Sequence, residues 1–101
     1  MTAHLIVMYP QPSDPKAFDR AYREEHLPFA GPRLTGATKV VSKRVAGPAP
    51  YYAMSDVHFP SIEALEKAAS SNGAKEALAH AASISTGGAP VVLVVTDDFA
   101  S

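Results

Sequence analysis

Two short segments of this 101-residue chain are apolar at every position: Leu5-Ile6-Val7-Met8 and Val91-Val92-Leu93-Val94-Val95. Side chains along a β-strand alternate between its two faces, so a strand with one face in water carries a polar residue at every second position. Neither segment alternates, and both faces of these strands therefore need cover. The length fits one domain, 1–101. Its two helical stretches can cover only one face of a sheet. A second copy of the chain is the economical cover for the other face. Two sheets packed face to face under a two-fold axis would form a dimeric α+β barrel. The competing reading is that short strands are often apolar throughout and the open face is merely sticky.

The remaining elements follow from local patterns. Leu5 to Tyr9 is a strand closed by Pro10 and Pro12. Asp14-Pro15 starts a helix, with Asp14 as cap and Pro15 in the first turn, where its missing N–H is not needed. Phe18, Tyr22 and His26 recur at i, i+4 and i+8 and share one helix face. Pro28 disfavours helix at Leu27, which predicts a helix end near His26 and a loop over Phe29–Gly36. Thr38–Val45 and Tyr51–Phe59 form an antiparallel hairpin around Gly47-Pro48-Ala49-Pro50, the first of the two being the more exposed. Alternation puts Tyr51, Ala53, Ser55, Val57 and Phe59 on one face and Tyr52, Met54, Asp56 and His58 on the other. Ser61 caps a second helix with Ile62, Leu65, Ala68 and Ala69 inward. Ser70-Ser71-Asn72-Gly73 breaks it, and Ala74–Ala82 resumes helix with Ala77, Leu78 and Ala81 inward. Ser83–Pro90 is loop before the last strand, Val91–Val95. The order β-α-β-β-α-β is the ferredoxin-like α+β plan, with a four-stranded antiparallel sheet.

Nine basic and ten acidic residues leave a formal charge of −1 with no basic patch, so neither nucleic acid nor membrane is an expected partner. Cysteine is absent, which removes disulfides and thiolate chemistry. The N-terminal residues lack a basic region followed by a long apolar one, and Val91–Val95 is far too short to span a bilayer. The expected setting is the cytoplasm.

Several residues are candidates for chemistry, each with a plainer structural reading beside it. His26 lies at the predicted helix end on the stripe that faces the sheet. It can act as a general acid or base on a ligand held there, or simply bond a backbone carbonyl. Tyr22, one turn earlier, can orient a ligand oxygen or serve as core with its hydroxyl at the edge. Phe18, Tyr9, Tyr51 and Tyr52 supply an aromatic lining that suits a flat hydrophobic ligand, and equally a dimer interface. Asp56 and His58 share a strand face, and His4 joins them if the first and third strands are neighbours. That set reads as a proton relay, part of a metal site, or solvated strand residues. No metal site is assigned and no bound cofactor is expected. His80 reads as an exposed helix residue. Thr86-Gly87-Gly88 is better explained as backbone freedom than as a phosphate cradle.

The run Leu5-Ile6-Val7-Met8-Tyr9-Pro10, then Asp14-Pro15 and Phe18, then Tyr22-x-x-x-His26-Leu27-Pro28, resembles the EthD family. So do Tyr51-Tyr52 and Thr86-Gly87-Gly88, and the resemblance runs over essentially the whole chain. It implies a dimeric α+β barrel. Members take their name from an ethyl tert-butyl ether degradation cluster, where the protein accompanies a cytochrome P450 system, and are loosely labelled oxidoreductases. Relatives with the same barrel include cofactor-free monooxygenases, cyclases, dehydratases and an isomerase, so the fold does not choose a reaction. Two functions are expected in competition. One is a cofactor-independent enzyme on a small hydrophobic or aromatic oxygenated compound, with His26 as acid/base. The other is a non-catalytic accessory or sequestering dimer that supports a partner oxygenase. A dimer with a fully packed interior and no pocket is the third.

Overall fold

A computed structural model describes residues 2–97; Met1 and 98–101, which the single-domain expectation includes, lie outside the described residues. Four strands, β1 (Ala3–Pro10), β2 (Lys39–Arg44), β3 (Tyr51–Phe59) and β4 (Val91–Thr96), form one sheet in the order β2-β3-β1-β4. Every pairing is antiparallel. This is the ferredoxin-like arrangement the sequence predicts, with β1 and β3 at the centre. The sheet is open, with β2 and β4 as its edges.

Four helical segments lie on one face: α1 (Pro15–Ala21), α2 (Leu27–Ala30), α3 (Ile62–Ala69) and α4 (Asn72–Ile84). Three caps start helices by the same device. Asp14, Ser61 and Ser71 each accept a hydrogen bond from the backbone N–H three residues on, satisfying a donor that the first turn leaves unpaired. The expected break at residues 70–73 is thus a new helix start. Gly73 sits within it because a Cβ there would come 2.6 Å from the Arg33 carbonyl oxygen. α4 runs on to Ile84, past the predicted end at Ala82, because Ile84 is buried. Ala69, predicted inward, is exposed.

The helix end expected at His26 is not there. Tyr22–His26 forms one π-helical turn in which the Leu27 N–H bonds the Tyr22 carbonyl. Helix then continues through α2 and a 3₁₀ turn, Gly31–Arg33. Pro28 would ordinarily collide with the carbonyl four residues back and leave it without a donor. The widened turn relieves that contact, and Pro28 falls in the first turn of α2, where its N–H is not required. Residues 29–33 of the segment predicted as loop are therefore helical, and 34–36 form a turn.

The core lies between helices and sheet in two clusters. Ala3, Leu5, Val57, Phe59, Leu65 and Ala68 form one. Val7, Tyr9, Phe18, Tyr22, Ala81 and Ile84 form the other. The opposite face of the sheet, which carries His4, Ile6 and Met8 of β1 and Met54, Asp56 and His58 of β3, has no helix over it. β4 stands apart. Val92, Leu93, Val94 and Val95 are 40–52% exposed, so helices cover neither of its faces. No helix among the described residues is long and apolar enough to cross a membrane.

Candidate functional site

A cavity of about 120 Å³ lies at the seam between the two core clusters. Its floor is Leu5 and Val7 of β1 and Ser55 and Val57 of β3; its roof is His26, Leu27 and Ala30 with Ala77, Leu78 and Ala81 of α4. The space follows from residue size, because α4 presents alanines where leucines would fill the gap. The volume suits a compact, ring-sized ligand, by comparison with the roughly 150 Å³ apolar cavities that take up benzene. The interior is therefore not fully packed.

Two side chains bring polar atoms to this apolar wall. His26 is buried, its Nε2 3.4 Å from the Tyr9 hydroxyl and its Nδ1 3.0 Å from Nδ1 of His80. Burial, with His80 beside it, pushes the imidazole down to about 4. At neutral pH the ring is uncharged and retains a lone pair. A helix C-terminus would favour the charged imidazolium, but helix continues past His26. Burial also raises Tyr9, with Tyr22 adding to the effect, so its hydroxyl stays protonated. Ser55 is the second polar group, its Oγ 2.7 Å from the Tyr22 hydroxyl.

His80 corrects the sequence reading. It is half-buried and stacks on both His26 (ring centroids 5.2 Å apart) and Phe29 (4.9 Å). A helix position expected to face solvent thus becomes the outer partner of His26. Tyr9, His26 and His80 form a line of polar atoms from the fully buried core to the half-exposed surface of α4.

The other candidates are distributed more widely. The Tyr22 hydroxyl lies between Ser42 Oγ at 2.6 Å and Ser55 Oγ at 2.7 Å. Tyr22 does not line the His26 cavity but a second, more polar one of about 230 Å³, with Phe18, Arg23 and Arg44. Phe18 stacks on Tyr22 and meets Tyr9 and Tyr52 edge-on. Alternation predicts Tyr52 on the same face of β3 as Met54, Asp56 and His58. A register shift, in which Tyr9 faces Ala53 but Pro10 faces Tyr51, leaves Tyr52 as the extra residue of a bulge. A bulge re-aims its side chain, and the Tyr52 hydroxyl donates to Asp19 Oδ1 at 2.9 Å, with Arg44 against the same oxygen. Tyr51 lies at the end of β3, where its carbonyl accepts from Gln11 Nε2, and lines neither cavity.

Thr86-Gly87-Gly88 has a steric role. A Cβ at Gly87 would lie 1.8 Å from the Gln11 carbonyl oxygen, and Thr86 Oγ1 accepts from the Ser13 N–H. The loop is pinned against the exit of β1. Sequence reasoning also missed Ser55 as a wall residue. Its signal was present: a hydroxyl inside the otherwise apolar inward series of β3.

On the open face, His4, Asp56 and His58 do come together, as the strand order predicts. His4 Nδ1 is 2.8 Å from Asp56 Oδ1, and Lys43 Nζ is 3.3 Å from Asp56 Oδ2. The Asp56 bond raises His4 above its usual range, against a smaller opposing effect of burial. Burial pushes Asp56 up, but the hydrogen bonds of His4 and Lys43 outweigh it, and the carboxyl lies below its ordinary value.

No protein-family model matches the sequence, and a search of curated proteins finds no match. Solved structures do match. An ethyl tert-butyl ether degradation (EthD) family protein from Bacillus halodurans superposes with a TM-score of 0.84 at 24% identity, covering 96% of this chain and 99% of that one. A dimeric ferredoxin-like protein of unknown function from Jannaschia gives 0.68 at 18% identity, over 95% and 99%. A cofactor-independent oxygenase from Streptomyces nogalater gives 0.66 at 13% identity, over 98% and 95%. The ferredoxin-like fold that the sequence predicts is therefore the fold observed, and it is shared with these structures, an EthD-family protein among them.

Proposed function

We propose that the chain is an EthD-type, cytoplasmic homodimer that binds a compact hydrophobic or aromatic oxygenated compound in the His26 cavity. His26 acts on it as a general base without a bound cofactor. The observation that carries this reading is an uncharged, buried imidazole on the wall of an otherwise apolar cavity. An imidazole held neutral can accept a proton from a ligand carbon or hydroxyl, and a water-poor site strengthens the accompanying electrostatics. His80 links His26 to solvent and offers a route for that proton. Ser55, held by Tyr22, is the hydroxyl available to a ligand oxygen, so Tyr22 is a positioning residue. The likeness to a cofactor-independent oxygenase is in keeping with this chemistry.

Acetophenone tests the proposal, being ring-sized with one oxygen and exchangeable protons beside it. His26 would remove a methyl proton, the carbonyl oxygen would take the negative charge beside Ser55, and return of a deuteron from solvent would complete the exchange. Deuterium uptake from D₂O should be catalysed by the wild type and fall at least 100-fold in His26→Ala. Ala77→Leu, which fills the cavity, should abolish both binding and exchange. Exchange undiminished in His26→Ala would exclude this base.

The accessory reading has one observation in its favour: an imidazole at about 4 is a weak base. Acetophenone bound at the cavity residues, with no exchange above background, would select ligand delivery over catalysis.

The dimer rests on the uncovered sheet face, on β4, and on neighbours described as dimeric. Exposed apolar strands of this extent are unusual on a monomer. Light scattering at micromolar concentration should give twice the chain mass, and a monomer would count against the assembly.

A further inference from the structure

The uncovered face of the sheet holds a cluster that the proposed reaction does not use. β1 and β3 are direct neighbours, with His4 opposite His58 and Ile6 opposite Asp56. Three side chains from two rigid strands therefore converge, and one ligand atom from each lies within 4.8 Å of the others. Two ligands of a tetrahedral zinc-type ion are about 3.4 Å apart, given metal–nitrogen bonds near 2.0–2.1 Å. His58 Nε2 is 3.4 Å from Asp56 Oδ2, and His4 Nδ1 is 2.8 Å from Asp56 Oδ1. Small side-chain rotations cover the remaining difference.

Two further observations point to a cation. His58 Nε2 is buried without a hydrogen-bond partner; its approach to Asp56 has the distance of such a bond but not the direction. A buried ring nitrogen is costly to leave unpaired. His4, in turn, turns its other nitrogen outward, with Nε2 3.1 Å from Asp97 Oδ1 at the end of β4. A carboxylate on the distal nitrogen is the usual support of a metal-bound histidine, because it fixes the tautomer and leaves the inner nitrogen's lone pair free.

We propose that His4 Nδ1, the Asp56 carboxylate and His58 Nε2 form a binding site for a first-row divalent cation of the zinc type, with Asp97 holding His4 in place. Two imidazoles and one carboxylate favour such an ion over calcium or magnesium, which prefer oxygen ligands. Three protein ligands leave a fourth position for water or for a group from outside the chain. Lys43 stands where the cation would compete with it, at 3.3 Å from Asp56 Oδ2, on a half-exposed side chain. All three ligands come from one chain, so the site stands whether or not the protein dimerises.

The test is a calorimetric titration of the purified chain with Zn²⁺, with Co²⁺ absorption as a report on coordination. One ion per chain is expected, with a low-coordinate cobalt spectrum. His58→Ala should weaken binding at least 100-fold. Asp97→Asn should weaken it 10–100-fold at unchanged stoichiometry. Lys43→Met should tighten it several-fold, and this variant leaves every ligand in place. His80→Ala should change nothing, which separates this site from the cavity. Absence of saturable uptake in both wild type and Lys43→Met would overturn the proposal. So would uptake that folded His58→Ala leaves intact, or that follows His80.

Discussion

The two faces of the sheet are built from the same strands, residue by residue, yet solve opposite problems. On the helix face, Leu5, Val7, Tyr9, Val57 and Phe59 meet α3, α4 and the aromatic residues of the first helical run. Its principal titratable group, His26, is held uncharged by burial. On the open face, Asp56 is hydrogen-bonded by His4 and Lys43, with His58 beside it, within a field of Ile6, Met8 and Leu93. Burial without an opposite charge nearby removes charge; burial beside one retains it. The helix face is complete within one chain, whereas the open face and both sides of β4 await something outside it.

That contrast can be broken most sharply at neighbouring residues of β1. Tyr9 is fully buried on the helix face, and Tyr9→Ala should cost about 3–5 kcal/mol, as other large-to-small core changes do. Its loss, read by chemical denaturation, should not depend on protein concentration. Met8→Ala, facing the other way, should cost less and become concentration-dependent. Equal, concentration-independent losses would erase the distinction between the faces.

Leu93→Arg places a charge on the open side of β4. Dissociation should rise about 100-fold or more by light scattering, while the fold persists by circular dichroism. An unchanged dimer would move the interface elsewhere.

Next in size is the acid response of the helix face. A histidine whose folded value is about 4, against 6.5 unfolded, binds fewer protons in the native state between those limits. Stability should therefore fall as pH drops from about 6.5 toward 4, by on the order of 3 kcal/mol, and flatten below. Comparing wild type with His26→Phe across this range isolates the effect; identical slopes would show that His26 is not held neutral.

Smaller still is the cap of α4. Ser71→Ala removes the acceptor for the Ala74 N–H and should cost about 1 kcal/mol by thermal melt. Arg44→Ala removes an exposed link to Asp19 and Tyr52 and should cost under about 1 kcal/mol. A larger loss would mean that the bulge at Tyr52 depends on that link.

Much of the fold was legible because its rules are local. The caps Asp14 and Ser61, the period-two faces of β3 from Ala53 to Phe59, and the i, i+4 stripe of Phe18, Tyr22 and His26 depend only on neighbours in the chain. The strand order follows from the connections, and with it the meeting of His4, Asp56 and His58. The site was legible only in part. His26 could be singled out, but Ser55 was visible only as a hydroxyl in an inward series, and His80 looked like any polar helix residue.

The sequence by itself determined the order of elements, the inward and outward residues of most strands, and the need for cover on the second face. Hydrophobic period and capping chemistry are sufficient for that. Tertiary structure alone decided three things. It carried helix past Pro28 through a wide turn, which buries Ala30 beyond it. It turned Tyr52 to the helix side through a one-residue bulge that no periodicity announces. And it brought His80 to His26 across 54 positions and left a cavity under the alanines of α4. Those outcomes depend on how side-chain volumes from distant segments fit together, and local pattern carries no record of that fit.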